Sequence, residues 1–97
     1  MFRHIVVFRF VEGASAEQVA AVSPALATLP GAIPELRRYA VGADAGLLEG
    51  NWHFGVVAEF DDEAGWQRYR DHPDHLRIIA EVIRPILAER AAVQIRS

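Results

Sequence analysis

Residues 2–11, FRHIVVFRFV, restrict the chain to a narrow set of folds. β-Branched and aromatic side chains dominate the run and no Gly or Pro interrupts it, so it reads as a strand. Alternation places Phe2, His4, Val6, Phe8 and Phe10 on one face and Arg3, Ile5, Val7, Arg9 and Val11 on the other. A sheet wetted on one side shows one polar face. Here the second face is apolar at its centre, at Ile5 and Val7, so neither side of the strand suits water.

WHFGVVAEF, residues 52–60, repeats the pattern, with Trp52, Phe54, Val56, Ala58 and Phe60 opposing His53, Gly55, Val57 and Glu59. Between the two strands, EGAS is a turn and SAEQ has capping-box spacing, Ser15 as N-cap and Gln18 three residues on. Val19, Val22, Leu26 and Leu29 follow at helical spacing, and Pro24 within that stripe predicts a kink or restart near Ser23. LPGAIP ends the helix, with Gly31 suited to a left-handed cap. Residues 35–41, ELRRYAV, read as a more polar strand at a sheet edge. Gly42, Gly46 and Gly50 then punctuate a loop that matches no nucleotide-binding fingerprint. Asp61 or Asp62 caps a helix to about residue 71, and His72-Pro73 interrupts it. A further helix carries Leu76, Ile79, Val82, Ile83 and Ile86, and AAVQIR, residues 91–96, gives a last short strand.

The order strand, helix, strand, strand, helix, strand is the split βαβ plan. The expected fold is α+β: a ferredoxin-like βαββαβ protomer, one domain over residues 1–97, with helices on one face of a four-stranded antiparallel sheet. The Phe-rich faces should meet the helices. Ile5, Val7, Val57 and Val93 then face away, each forfeiting roughly 1.5–3 kcal/mol if left wet. Soluble monomers rarely expose such a patch, and a two-fold homodimer, sheet against sheet, relieves it.

Absences remove whole classes of chemistry. There is no Cys, hence no thiolate nucleophile, disulfide or cysteine metal site. There is no Lys either, so all ten cations are Arg and Schiff-base chemistry is excluded. Those arginines are scattered in a chain of net charge −3, which argues against a nucleic-acid partner. The opening residues are too short and too charged for a membrane span or signal peptide, so no membrane partner is expected and the cytoplasm is the expected address.

MFRHIVVFRF, GNWHFGVVAEFDD and YRDHPDH together resemble the stress-responsive dimeric α/β barrel (Dabb) family over nearly the whole chain. The most specific element is the aromatic-x-x-His-Pro-x-His segment, backed by Arg-His near the start. The resemblance implies a ferredoxin-like protomer whose two sheets close into an α/β barrel in the homodimer. The family includes a plant polyketide cyclase with a Tyr/His acid–base pair. Those roles would fall on Tyr69 and His75, with His4, Val6, Phe8 and His72 as ligand-binding residues in the same cavity. A neutral imidazole can take a proton from an acidic carbon near pH 7, and a phenol can donate to a developing oxyanion.

Spacing alone does not pair Tyr69 with His75. Six positions apart, they would diverge on an unbroken helix, and only the interruption at Pro73 can bring them together. A purely structural reading also fits: Tyr69 as a core aromatic, His72 as a helix cap, His75 donating to a carbonyl of the preceding turn, His4 as a satisfied core histidine. His53 has the wrong parity for the helix-side cavity, and Glu59 is expected to pair with an arginine. HPDH supplies neither His-Glu-x-x-His nor a third ligand, so no metal is expected, and no segment argues for haem or another cofactor. Where the cyclase has aromatic cavity walls, this chain has Ala21, Val22, Ala25, Leu26 and Ile86, so that particular reaction does not transfer. The function expected is a small homodimer binding a small apolar metabolite, such as a carbonyl compound, between sheet and helices. The alternative is a cofactor-free cyclase or isomerase using Tyr69 and His75.

Overall fold

In a computed structural model describing Met1–Ser97, the strands β1 (Phe2–Phe10), β2 (Arg38–Ala43), β3 (Phe54–Phe60) and β4 (Leu87–Arg96) form one antiparallel sheet. Their spatial order is β2-β3-β1-β4, so the two strongest apolar strands lie inside and the two more polar ones at the edges. The first helical connection is α1 (Ala16–Ala20), α2 (Val22–Leu26) and α3 (Leu29–Ala32). The second is α4 (Glu63–Asp71) and α5 (Pro73–Ile78), continued by a π-helical turn, Ile79–Ile83, and a 3-10 turn, Arg84–Ile86. This is the expected ferredoxin-like βαββαβ plan. No helix is long and apolar enough to cross a membrane.

Register explains the burial. Ile5 lies opposite Val57 on one side and Val93 on the other, while Val6 lies opposite Val56 and Ala92. Phe2, His4, Val6, Phe8 and Phe10 are buried beneath the helices together with Phe54, Val56, Ala58 and Phe60. The helices contribute Val22, Leu26, Leu29, Ile78, Ile83 and Ile86 to the same core. On the other face Ile5, Val7 and Val57 are half-buried, while Val93 and Ile95 remain 51% and 41% exposed. Glu59 sits on this face under its partner, Arg3, whose guanidinium donates to Oε1 at 2.6 Å.

Four local expectations are corrected. The first helix is three short segments in place of one kinked helix; the restart expected near Ser23 falls at Val22, and a further break follows before Leu29. Pro24 has no N–H, so it is tolerated in the first turn of a helix, where that group has no intrahelical partner. Pro30 likewise opens α3, which leaves Gly31 inside a helical turn; positive φ occurs only at Gly46 (77°) and Gly50 (81°). β2 begins at Arg38 and runs through Gly42, which is therefore not a loop residue. β3 begins at Phe54, because His53 has become part of the ladder by another route: its N–H donates to the Phe8 carbonyl and its Nδ1 accepts from the Phe10 N–H. The bend there sends Trp52 to the opposite side from Phe54, where its ring lies 4.8 Å beneath the Arg9 guanidinium.

The caps follow local chemistry. Ser15 and Gln18 form the reciprocal capping box, and Asp62 Oδ1 accepts from the Gly65 N–H at 2.9 Å. Pro85 cannot continue an α-helical ladder, and the helix passes through its π and 3-10 turns there before β4 starts at Leu87. Asp62→Ala is expected to cost about 1 kcal/mol, and Phe60→Ala, which empties a fully buried site, about 3–5 kcal/mol. Urea unfolding followed by circular dichroism measures both; comparable losses would show that Phe60 does not hold the sheet to the helices.

Candidate functional site

α4 ends because His72, the residue before Pro73, takes an extended conformation (φ −63°, ψ 134°). Its side chain then becomes the N-cap of α5, with Nδ1 accepting from the Asp74 N–H at 3.1 Å. That turn folds the second half of the segment back over the first. The Tyr69 and His75 rings stack at a centroid separation of 4.3 Å, tilted by 36°. The break therefore does what an unbroken helix could not.

Both residues line a cavity of about 110 Å³ between sheet and helices. Its floor is His4, Val6, Phe8 and Val56; its walls are Leu26, Trp66, Tyr69, Arg70, His75, Ile79 and Ile83; Arg90 of β4 closes the set. His72 is not among the lining residues, since its ring is engaged as a cap. Of the first-helix residues expected to replace aromatic walls, Leu26 lines the cavity. Val22 and Ile86 lie in the core instead. No three metal-ligating side chains converge anywhere in the molecule.

Hydrogen bonding gives the two cavity histidines opposite characters. His75 Nδ1 lies 3.0 Å from the Arg70 carbonyl, which can only accept, so Nδ1 carries the proton and Nε2 the lone pair. His4 Nδ1 lies 2.9 Å from the Gln94 amide nitrogen, which can only donate, so the His4 proton sits on Nε2. Both rings line the cavity, and one thus has an unengaged acceptor nitrogen, the other an unengaged donor N–H. The Tyr69 hydroxyl bonds at 2.8 Å to the hydroxyl of Tyr39, not to His75.

Burial sets the protonation states. It lowers His4 to about 4, helped by the charges of Arg90 and His75. Burial also lowers His75, against the raising effect of the Arg70 carbonyl and with Arg90 and His72 adding to the depression. The Tyr69 phenol is pushed up to about 12 by burial, and Tyr39 is raised by burial and by Tyr69. At neutral pH both imidazoles are uncharged and both phenols are protonated. His75 is chemically a base, Tyr69 a donor.

Three of these residues escaped the sequence reading. Tyr39 lay in a strand too polar to attract notice. Arg90 and Gln94 belong to β4, which begins at Leu87 and not at residue 91; stepping back by twos from Gln94 would have put Arg90 on the His4 side. The protonation pattern predicts a pH dependence. An unfolded His4 titrates near 6.5, the folded one at about 4, so the unfolded chain binds more protons in between. Stability present above pH 6.5 should fall as pH drops through that window to about 4. His4→Gln should flatten the fall in urea midpoint; an unchanged slope would assign it to other groups.

Comparison with known proteins adds a family. The Stress responsive A/B Barrel Domain matches residues 2–96. A dimeric ferredoxin-like protein of unknown function from Thermobifida fusca is 50% identical over 99% of this chain and 90% of its own, with a TM-score of 0.91. A Dabb family protein with a ferredoxin-like fold from Mesorhizobium loti is 23% identical over 99% and 95%, TM-score 0.81. A hydroxynitrile lyase from Passiflora edulis is 19% identical over 97% and 90%, TM-score 0.82, a likeness of fold. Among curated proteins nothing matches. With the ferredoxin-like sheet, the apolar second face and the whole length of the chain accounted for, this protein belongs to the stress responsive A/B barrel domain (Dabb) family.

Proposed function

We propose that this protein is a homodimer that binds one small, largely apolar molecule in the cavity above β1. The observation that carries the reading is the cavity itself, apolar in most of its lining, with a donor from His4 and an acceptor from His75. Such a site orients a ligand through a few polar groups while apolar walls supply most of the contact. At about 110 Å³ the space is smaller than the roughly 150 Å³ cavity known to accept benzene. It suits a short molecule and argues against a long polyketide chain.

The dimer is supported by the second sheet face, where Ile5, Val7, Val57, Val93 and Ile95 form a continuous apolar band. The Thermobifida fusca relative is described as dimeric. Packing two such faces would close a barrel and remove the band from water. Sedimentation at micromolar concentration should find two subunits, and the paired change Ile5→Asp with Val57→Asp should release monomers. A wild-type chain that stays single and stable would sink the barrel.

A second reading, cofactor-free acid–base catalysis, is supported by the fixed tautomer of His75 and the protonated Tyr69. His75 would take a proton from carbon, and the Tyr69 hydroxyl, itself accepting from Tyr39, would donate to the developing oxyanion. On this reading His75→Ala should lower turnover of a small carbonyl substrate by about 10²–10⁴-fold. Tyr69→Phe should lower it with little change in folding. If both variants turn over such compounds at the wild-type rate, His75 and Tyr69 are not the acid–base pair; a wild-type protein that binds them without turnover is a binder only.

A further inference from the structure

Arg90 is the one feature of the cavity that an apolar ligand does not explain. It stands on the helix-facing side of β4, opposite Phe8 and two steps along from Gln94, which holds His4. Arg70 also lines the cavity, but its guanidinium is committed to Asp71 through two 2.9 Å bonds and lies over Trp66 at 5.1 Å. Five ion pairs occur in the protomer and none includes Arg90. Arg90 is exposed at the cavity and is the one lining arginine without a carboxylate of its own, so its guanidinium is free to pair with an anion.

We propose that the cavity selects a short monocarboxylate, its apolar tail between Leu26, Ile79 and Ile83 and its carboxylate paired with the Arg90 guanidinium. The proposal rests on the cavity reading above and narrows it to a ligand class. A planar carboxylate matches the guanidinium fork through two parallel hydrogen bonds, which a neutral amide of the same shape cannot reproduce. The size of the cavity limits the tail to a few carbons.

Electrostatics give the proposal a second readout. The Arg90 charge depresses His4 and His75 and also lowers Tyr69, so it acts on all three polar groups at the cavity. The charged or titratable groups around His75 are Arg90 on β4, Tyr69, Arg70 and Asp71 on α4, His72 at the joint and His4 on β1. A carboxylate on Arg90 neutralises one of them and adds negative charge near the imidazole. His75 should then titrate at a higher pH when the ligand is bound, so binding is accompanied by proton uptake at mildly acid pH.

Butyrate and butyramide, nearly equal in shape and different in charge, make the test. Histidine-ring NMR signals of the full chain are followed as each is added, for the wild type, Arg90→Gln and Arg90→Lys. Butyrate is expected to shift the His4 and His75 signals saturably and to raise the His75 titration midpoint. Butyramide should bind on the order of tenfold to a hundredfold more weakly. Arg90→Gln should abolish that preference, and Arg90→Lys should keep part of it, the charge being retained without the fork. Urea unfolding establishes that the variants are folded. Equal affinity for the two compounds, or an undiminished preference in folded Arg90→Gln, overturns the monocarboxylate proposal and leaves the cavity reading standing. If neither compound, nor any longer or shorter homologue of the pair, perturbs the two histidines, both fail together.

Discussion

β1 is apolar on both sides, and most of the architecture is an answer to that. Phe2, Val6, Phe8 and Phe10 require a helical layer, which the two connections provide. Ile5 and Val7 on the reverse need cover too, and within one subunit they are only half-buried. The proposed barrel of two sheets supplies the missing layer in the least elaborate way, since a two-fold axis lets one surface cover itself. His4 occupies the same strand face as the phenylalanines, and so a polar ring is carried into the core by strand alternation and must be satisfied there. Gln94, directly across the ladder, does this.

A second constraint operates at His72-Pro73. Proline disfavours helical geometry in the residue before it, and the turn that His72 makes there stacks His75 on Tyr69. The same residue pair also builds the cap that restarts the helix, so the fold and the site share one device. The structural reading of these residues and the functional one are therefore not exclusive. His75 donates to the Arg70 carbonyl, as a merely structural histidine would, and that bond is what leaves its Nε2 lone pair available. His72, by contrast, is spent on capping and has no place at the cavity.

How much could be read in advance varied with the range of the interaction involved. Strand faces, the capping box, the Asp62 cap and the break before Pro73 depend on neighbours within a few positions, and their residues announce them. The restart near Ser23 was legible from Pro24, but the further break before Pro30 was not, because a proline is tolerated in a first turn and which turn is first depends on packing. The parity of Trp52 failed because His53 bonds to β1 with its side chain and bends the chain. For Tyr39, Gln94 and Arg90 alternation could give at most the strand face; their roles depend on a partner or cavity wall far away in sequence.

The sequence by itself determined the element order, the two-faced sheet and the site of the helix break, because alternation and proline sterics act within a few residues. Tertiary structure alone decided which nitrogen of each cavity histidine bears the proton, that the Tyr39 and Tyr69 hydroxyls meet, and that the β4 arginine at the cavity stands without a carboxylate. Those are properties of groups brought together across the sheet, and hydrogen-bond direction and desolvation exist only once the two sides have met.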